Sequence, residues 1–154
     1  MAVTVLLKEV VDALEMQSDE SYAFLDLDSG SITTVSSDLL QLAEESPDEQ
    51  PDLPDWQVPE WEMAKQIVST SGFRKLPTNF DIHEWAIMQD FAHSIASGNI
   101  RQELLHAIHG AGAFRHFKAT VRRHRIESDW FAFRDDALTQ IAREWCEKHQ
   151  IGWR

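Results

Sequence analysis

The residues best placed to bind a ligand form a glycine break that precedes a basic helix. Gly110 and Gly112 stand directly before a helix predicted from Ala113 to about His124. Free N–H groups at a helix start, followed by basic side chains, could hold an anion. The spacing is not that of a phosphate-binding loop, because no Gly-Lys-Ser/Thr sequence follows. Two glycines between helices are more often a tight turn, and that interpretation is favoured here over an anion site.

Basic side chains continue along that predicted helix. Arg115, Lys118 and Arg122 share one face by the i+3, i+4 rule, and a basic face beside aromatic residues is typical of contact with a phosphate backbone. Two alternatives stay open: the charges are solvated or paired with nearby acids, or the face binds an acidic protein segment of this chain or another. The candidate anion or nucleic-acid contacts are Gly110, Gly112, Arg115, Lys118, Arg122, Arg123 and Arg125.

Histidine and cysteine give weaker indications of chemistry. His106 and His109 are three residues apart, as are Asp90 and His93, and either pair could supply two metal ligands. No third ligand has a diagnostic spacing, so no metal and no cofactor is expected. Acidic neighbours flank Cys146, which does not favour a reactive thiolate. No serine elbow or kinase sequence set is present, and no catalytic residue is assigned.

The aromatic segment 130–136 is interpreted as structural. Its density of Trp and Phe is typical of a helix that packs onto a core, and Arg134 is expected to pair with a carboxylate. Asp135 and Asp136 are adjacent, so they diverge by about 100° on a helix and do not form an acid/base pair. An enzyme site assembled from scattered Asp, Glu and His side chains remains an alternative that spacing does not reveal.

Composition narrows the class of protein. The chain has 154 residues and a formal net charge of −12. Residues 1–77 hold 4 basic and 16 acidic residues, whereas residues 78–154 hold 10 of each. The acidic excess repels phosphate, which argues against nucleic-acid binding by the whole surface. A single cysteine, no secretory signal and no long apolar run predict a soluble cytoplasmic protein with no membrane partner.

Hydrophobic periodicity and turn residues predict the organisation of the chain. A helix over 4–16 is followed by a hairpin whose strands, 21–27 and 31–36, flank an Asp-Ser-Gly turn. The expected segments are a helix-plus-hairpin unit over 1–44, an acidic proline-rich connector over 45–58 and a helical unit over 59–154, together forming one compact domain. The connector contains no basic residue, and Trp56 is expected to anchor it to the core. The predicted fold class is α+β, mainly α-helical with a short N-terminal antiparallel β-hairpin.

The helical unit is divided by capping and breaking residues. Asp81 and Glu84 have the spacing of a capping box, and Asn99 and Ser128 stand at helix starts. Gly72 and Pro77 bracket a predicted loop. The helices are expected over about 59–70, from 81 towards Gly98, from 99 to about 108, 113–124 and from 128 onwards.

Several of these segments together resemble uncharacterised protein family 0158, a set of small, mainly bacterial proteins. The order of parts is similar as well: hairpin, Leu-Pro-Asp-Trp, helices, glycine turn, basic helix and a final Trp-rich helix. The resemblance implies a bacterial origin and brings no activity and no catalytic residue with it. The segments that carry the resemblance are 53–56, 107–118, 130–138 and 142–145.

Taken together, the sequence favours a non-catalytic cytoplasmic binding or regulatory module that acts through protein contacts. Its partner is expected to be another protein or a second copy of the chain. The first alternative is a nucleic-acid- or phosphate-binding protein that uses the basic helix 113–125. The further alternative is the enzyme with a site of scattered acidic and histidine side chains.

Overall fold

A computed structural model describes residues 3–154 of the chain, without the side chain of Phe80. The fold is α+β and mainly helical with a small antiparallel sheet, which confirms the predicted class. The helices are α1 (Leu7–Met16), α2 (Ser37–Glu45), α3 (Val58–Ser69), α4 (Asn79–Ile82), α5 (Glu84–Ser94), α6 (Gly98–Ala107), α7 (Ala113–Arg123) and α8 (Glu127–Lys148), with a 3₁₀ turn over Asp55–Gln57. The strands are β1 (Thr4–Val5), β2 (Ser21–Asp26), β3 (Ile32–Ser36), β4 (Phe73–Lys75) and β5 (Gly152–Trp153).

The chain divides into two compact units. The first contains the residues up to Asp81 together with Ala142–Arg154, and the second is Ile82–Ile141. These bounds differ from the segments 1–44, 45–58 and 59–154 drawn from the sequence. The reason lies in α3, whose buried Trp61 and Ala64 share a core cluster with α2 and the hairpin.

The sheet of the first unit has the strand order β3-β2-β4 and is antiparallel throughout. The predicted hairpin is confirmed, with Tyr22 opposite Val35. The Asp26 carboxylate accepts the Asp28 amide at 2.9 Å, and Gly30 takes φ +78° to complete the turn. That positive φ explains the glycine.

The third strand, β4, lies where the sequence predicted a loop. Phe73–Lys75 pairs with the open edge of β2, and the Leu76 amide donates to the carbonyl oxygen of Ala23 at 2.9 Å. The indole N–H of Trp145 donates to the carbonyl oxygen of Lys75 at 3.0 Å. A strand of three residues between Gly72 and Pro77 has too little alternation to be predicted from its own sequence.

The beginning of the predicted first helix is instead a short strand. Thr4–Val5 pairs in parallel with Gly152–Trp153, and α1 begins only at Leu7. The Leu7 amide donates to the carbonyl oxygen of Arg154 at 3.0 Å. A pairing between residues so far apart in sequence leaves no local pattern, which is why periodicity extended the helix to Thr4.

An aromatic cluster forms the core of the second unit. Phe91 on α5 meets Phe117 on α7, with ring centroids 6.1 Å apart. Phe91 also meets Trp130 and Phe133 of α8 at 5.3 Å and 5.4 Å. The offset edge-to-face geometry is the favourable one for aromatic pairs. The segment 130–136 therefore has the structural role predicted for it, and this cluster sets which face of α7 is buried.

Helix starts in this unit differ from the predicted ones. His83 has φ +55° and separates α4 from α5, so the capping box of Asp81 and Glu84 does not form. The Glu84 carboxylate instead pairs with the guanidinium of Arg134 at 2.5 Å, which confirms that Arg134 has an acidic partner. Helix α6 is capped by the Ser97 side chain rather than by Asn99.

Candidate functional site

The acidic connector is an ordered loop in the first unit. Residues 46–54 form neither helix nor strand, and a 3₁₀ turn then leads into α3. Leu53 is partly buried against the core cluster that contains Trp61, and the Gln57 amide donates to the carbonyl oxygen of Pro54 at 2.9 Å. These contacts fix the end of the loop, which we call the acidic loop (residues 46–57).

The prediction that Trp56 anchors this segment to the core is wrong. Trp56 is 77% exposed, whereas Leu53, three residues earlier, makes the contact with the core. The core already holds the fully buried Trp61 at this end of the unit. Leu53 and Trp61 thus supply the apolar contacts here, and the indole of Trp56 lies outside the core. The structure therefore holds Trp56 in place and presents its side chain to solvent.

Four carboxylates precede the exposed indole of Trp56 in the sequence. Asp52 and Asp55 are exposed and stand four residues and one residue before Trp56. Asp48 and Glu49, which come earlier in the same loop, are also exposed. Within residues 3–154, none of these four carboxylates forms an ion pair. The acidic loop thus combines an aromatic face with free negative charge.

The basic helix of the second unit is α7. Phe117, Thr120 and Val121 are buried, so the opposite face of the helix is exposed to solvent. Arg115, Lys118 and Arg122 all lie on that exposed face, as the spacing predicts. Among the described residues, none of these three cations forms an ion pair. We call the four exposed side chains of Phe114, Arg115, Lys118 and Arg122 the basic face.

The glycine break is a tight turn, the interpretation that two glycines between helices favour. Gly110 and Gly112 take φ +92° and +74°, conformations that favour glycine, and the His116 amide donates to the Gly112 carbonyl at 3.0 Å. A methyl group at Gly112 would lie 3.3 Å from the guanidinium of Arg115. The Arg115 side chain therefore folds back towards the start of α7, where the first amides have no intrahelical partner.

The turn is held in place by Trp85. Its indole N–H donates to the carbonyl oxygen of Ile108 at 2.9 Å, and its ring lies edge-on to that of His109. The sequence gives no indication of this hydrogen bond, because it joins residues on different elements.

Two candidate contact residues differ from the others. Arg123 donates to Glu103 Oε2 at 2.8 Å, and His124 Nε2 contacts the same oxygen. Hydrogen bonds from His124 and Arg123 hold the pKa of Glu103 below its ordinary value. Arg123 is thus engaged by an acidic side chain, whereas Arg125 follows the end of α7 with φ +57°.

The lowered pKa of Glu103 gives a measurable pH dependence. We expect carbon-13 NMR to show Glu103 titrating below an ordinary glutamate, and Arg123→Gln or His124→Gln to move its pKa upwards. The contribution to stability is present above the ordinary glutamate pKa and is lost as pH falls through the lowered pKa. Comparing Glu103→Gln with the unchanged protein at each pH measures this. A stability difference that grew towards acid pH would contradict the assignment.

Arg125 occupies a left-handed conformation that glycine adopts without cost. The Ile126 amide donates to Val121 and the Arg125 amide to Arg122, which is the pattern of a helix end that favours glycine. Arg125→Gly should therefore stabilise the second unit by about 1 kcal/mol. Arg125→Ala removes the same charge and keeps the strain, so urea unfolding should show no gain for it. Equal effects of the two variants would assign the gain to charge instead.

The remaining candidates for chemistry are the possible metal ligands, the Asp135–Asp136 pair and Cys146. Among the described residues, no group of three His, Cys, Asp or Glu side chains could hold a metal ion. Asp135 and Asp136 are both exposed on α8. Burial raises the pKa of the Cys146 thiol, and the neighbouring charge of Glu147 raises it further. A raised pKa disfavours the thiolate that a nucleophile requires.

Comparison of the chain with protein-family models, with curated proteins and with solved structures gave no match. Among residues 3–154, no helix has both the length and the apolar character needed to cross a membrane.

Proposed function

We propose that this chain is a non-catalytic cytoplasmic interaction protein whose acidic loop binds a basic segment of a protein partner. The observation that carries the proposal is Trp56, which is 77% exposed on a loop that Leu53 fastens to the core. An exposed indole leaves a large apolar surface in water, and tryptophan is one of the side chains enriched at the centres of protein interfaces. The resemblance to uncharacterised protein family 0158 stays a prediction and assigns no activity.

The chemistry around Trp56 selects the kind of partner. An arginine side chain stacks favourably on an indole ring, and its guanidinium pairs with carboxylates. Asp52 and Asp55 supply carboxylates within a few residues of Trp56. A segment that carries arginine therefore satisfies both features of the loop at once. The single buried cysteine, Cys146, supports the reducing cytoplasm as the compartment.

The experiment is an NMR titration of the isotope-labelled chain with a short arginine-containing peptide. The chain has 6 tryptophans, and Trp56→Phe identifies which indole signal belongs to Trp56. We expect that signal to shift saturably while the buried Trp61 signal stays in place. The same peptide with glutamate in place of arginine is the control and should produce no shift. Saturable shifts confined to other indoles would refute the proposal.

A second candidate function is phosphate or nucleic-acid binding by the basic face of α7. The exposed and unpaired Arg115, Lys118 and Arg122 favour it, although the net charge of −12 opposes it. Fluorescence anisotropy with a short labelled duplex tests this candidate. Binding that used three phosphate contacts would weaken with salt with a log–log slope of roughly −3. Arg115→Glu should abolish it, and a flat titration at low salt would remove the candidate.

A further inference from the structure

We infer that the acidic loop of one copy of this chain docks on the basic face of α7 in a second copy. This inference rests on the proposed function, because it names the basic segment that the acidic loop binds. It concerns two surfaces that are each exposed in the fold of a single chain: Trp56 is 77% exposed and Phe114 is 47% exposed.

The basic face offers a row of cations with an aromatic side chain at one end. Arg115 and Arg122 are seven residues apart, which is about 10 Å along the helix axis. Phe114 precedes Lys118 by four residues, so the two side chains lie side by side on the helix surface. Arg123 is excluded from this surface, because Glu103 already accepts its hydrogen bond at 2.8 Å.

The acidic loop has the complementary composition. Asp48, Glu49, Asp52 and Asp55 are exposed, and Trp56 stands at the end of the series. The basic face has three cations, and Arg125 adds a fourth exposed one just beyond α7. The acidic loop therefore has four negative charges and one exposed aromatic side chain, and the basic face has three positive charges and one exposed aromatic side chain. Within the described residues, neither set of charges is neutralised by ion pairs of its own chain.

Charge complementarity selects a second copy as the partner. Every copy carries both surfaces, and in a pair of chains related by a two-fold axis the same contact is made twice. The attraction between the two surfaces acts against the repulsion between two copies that each carry a net charge of −12, and because salt screens exposed charges, we expect the contact to weaken as ionic strength rises. The aromatic side chains add an apolar component that salt does not screen.

The test is sedimentation velocity on the full chain at low salt, with two charge-reversed variants. The first carries Asp52→Lys and Asp55→Lys, and the second carries Arg115→Glu and Lys118→Glu. The unchanged chain should form a dimer whose fraction rises with concentration in the micromolar range. Each variant alone should associate at least tenfold more weakly, because like charges then face one another.

An equimolar mixture of the two variants provides the decisive arm. In a mixed dimer, the unchanged acidic loop of the second variant faces the unchanged basic face of the first variant. The reversed acidic loop of the first variant, which now carries lysines, faces the reversed basic face of the second, which now carries glutamates. We expect the mixture to form the dimer again, and added salt to dissociate it. Trp56→Ala should weaken the unchanged dimer at least tenfold. Circular dichroism melting curves of all variants, which carry only exposed substitutions, confirm that loss of association is not loss of folding.

Four outcomes of these measurements would overturn the inference, and they differ in what they mean for the proposed function. A chain that stays monomeric while an arginine-containing peptide still shifts the Trp56 signal overturns the self-docking and leaves the proposed function standing. A monomeric chain whose Trp56 signal does not respond overturns both. A monomeric chain that binds a short nucleic-acid duplex through Arg115 assigns the basic face to nucleic acid instead. A dimer that neither reversal weakens places the interface elsewhere and also overturns the inference.

Discussion

Replacing Phe91 with alanine should remove about 4 kcal/mol from the stability of the second unit. Phe91 is 2% exposed and its ring meets those of Phe117, Trp130 and Phe133. Its removal leaves a cavity among rigid aromatic rings, which close it poorly. A loss of this size is a large part of the roughly 5–15 kcal/mol that stabilise a typical domain. Urea unfolding measures the loss of stability, and hydrogen exchange of the α5 and α7 amides shows that the loss falls in the second unit.

The matched control for Phe91 is Phe131, the same residue type at an exposed position. Phe131 lies on α8 and is 62% exposed, so Phe131→Ala should change stability by less than about 0.5 kcal/mol. The comparison separates burial from residue type. Similar losses for the two variants would mean that the aromatic cluster is not the core of residues 82–141.

Two substitutions of Trp61, to alanine and to phenylalanine, should reduce the stability of the first unit by very different amounts. It is fully buried in the first unit, and its indole N–H has no hydrogen-bond partner among the described residues. Trp61→Ala creates a large cavity and should cost about 4 kcal/mol. Trp61→Phe keeps most of the apolar volume and removes a buried donor that is unsatisfied. Because leaving such a donor buried is itself costly, Trp61→Phe should cost about 1 kcal/mol or less.

Trp145 is the control for the unpaired indole N–H of Trp61, because the indole N–H of Trp145 does form a hydrogen bond. Its indole donates to the carbonyl oxygen of Lys75 at 3.0 Å, and it belongs to the same unit. Trp145→Phe should therefore cost about 1 kcal/mol more than Trp61→Phe, because it also leaves a carbonyl oxygen without its donor. Thermal and urea unfolding of the two variants make the comparison. A larger loss for Trp61→Phe would show that the Trp61 N–H has a partner.

Local signals in the sequence were sufficient to predict the hairpin and most of the helices. The turn around Gly30 needs a residue that tolerates φ +78°, and the flanking β-branched residues 32–35 define the strand. The basic face was predictable for the same reason: the i+3, i+4 spacing of Arg115, Lys118 and Arg122 is a property of one helix. The buried Phe117 between them fixes the orientation of that helix.

Features that depend on distant partners were not predictable. Strand β4 exists because β2 offers an open edge, and β1 exists because it pairs with Gly152–Trp153. The exposure of Trp56 is of the same kind. Leu53 and Trp56 are both plausible anchors in sequence, and only the fold shows that Leu53 contacts the core while Trp56 is exposed. The two units likewise follow from contacts rather than from composition.

The exposed Trp56 is therefore the residue on which the functional account depends. Isothermal titration calorimetry with the arginine-containing peptide, on the unchanged chain and on Trp56→Ala, measures its contribution to binding directly. A central interface tryptophan contributes about 2 kcal/mol or more, so the account predicts that Trp56→Ala binds roughly thirtyfold more weakly. Phe131→Ala, at an aromatic side chain that is 62% exposed on α8 and belongs to neither surface, should bind as the unchanged chain does. Equal affinity of the unchanged chain and Trp56→Ala would contradict the account.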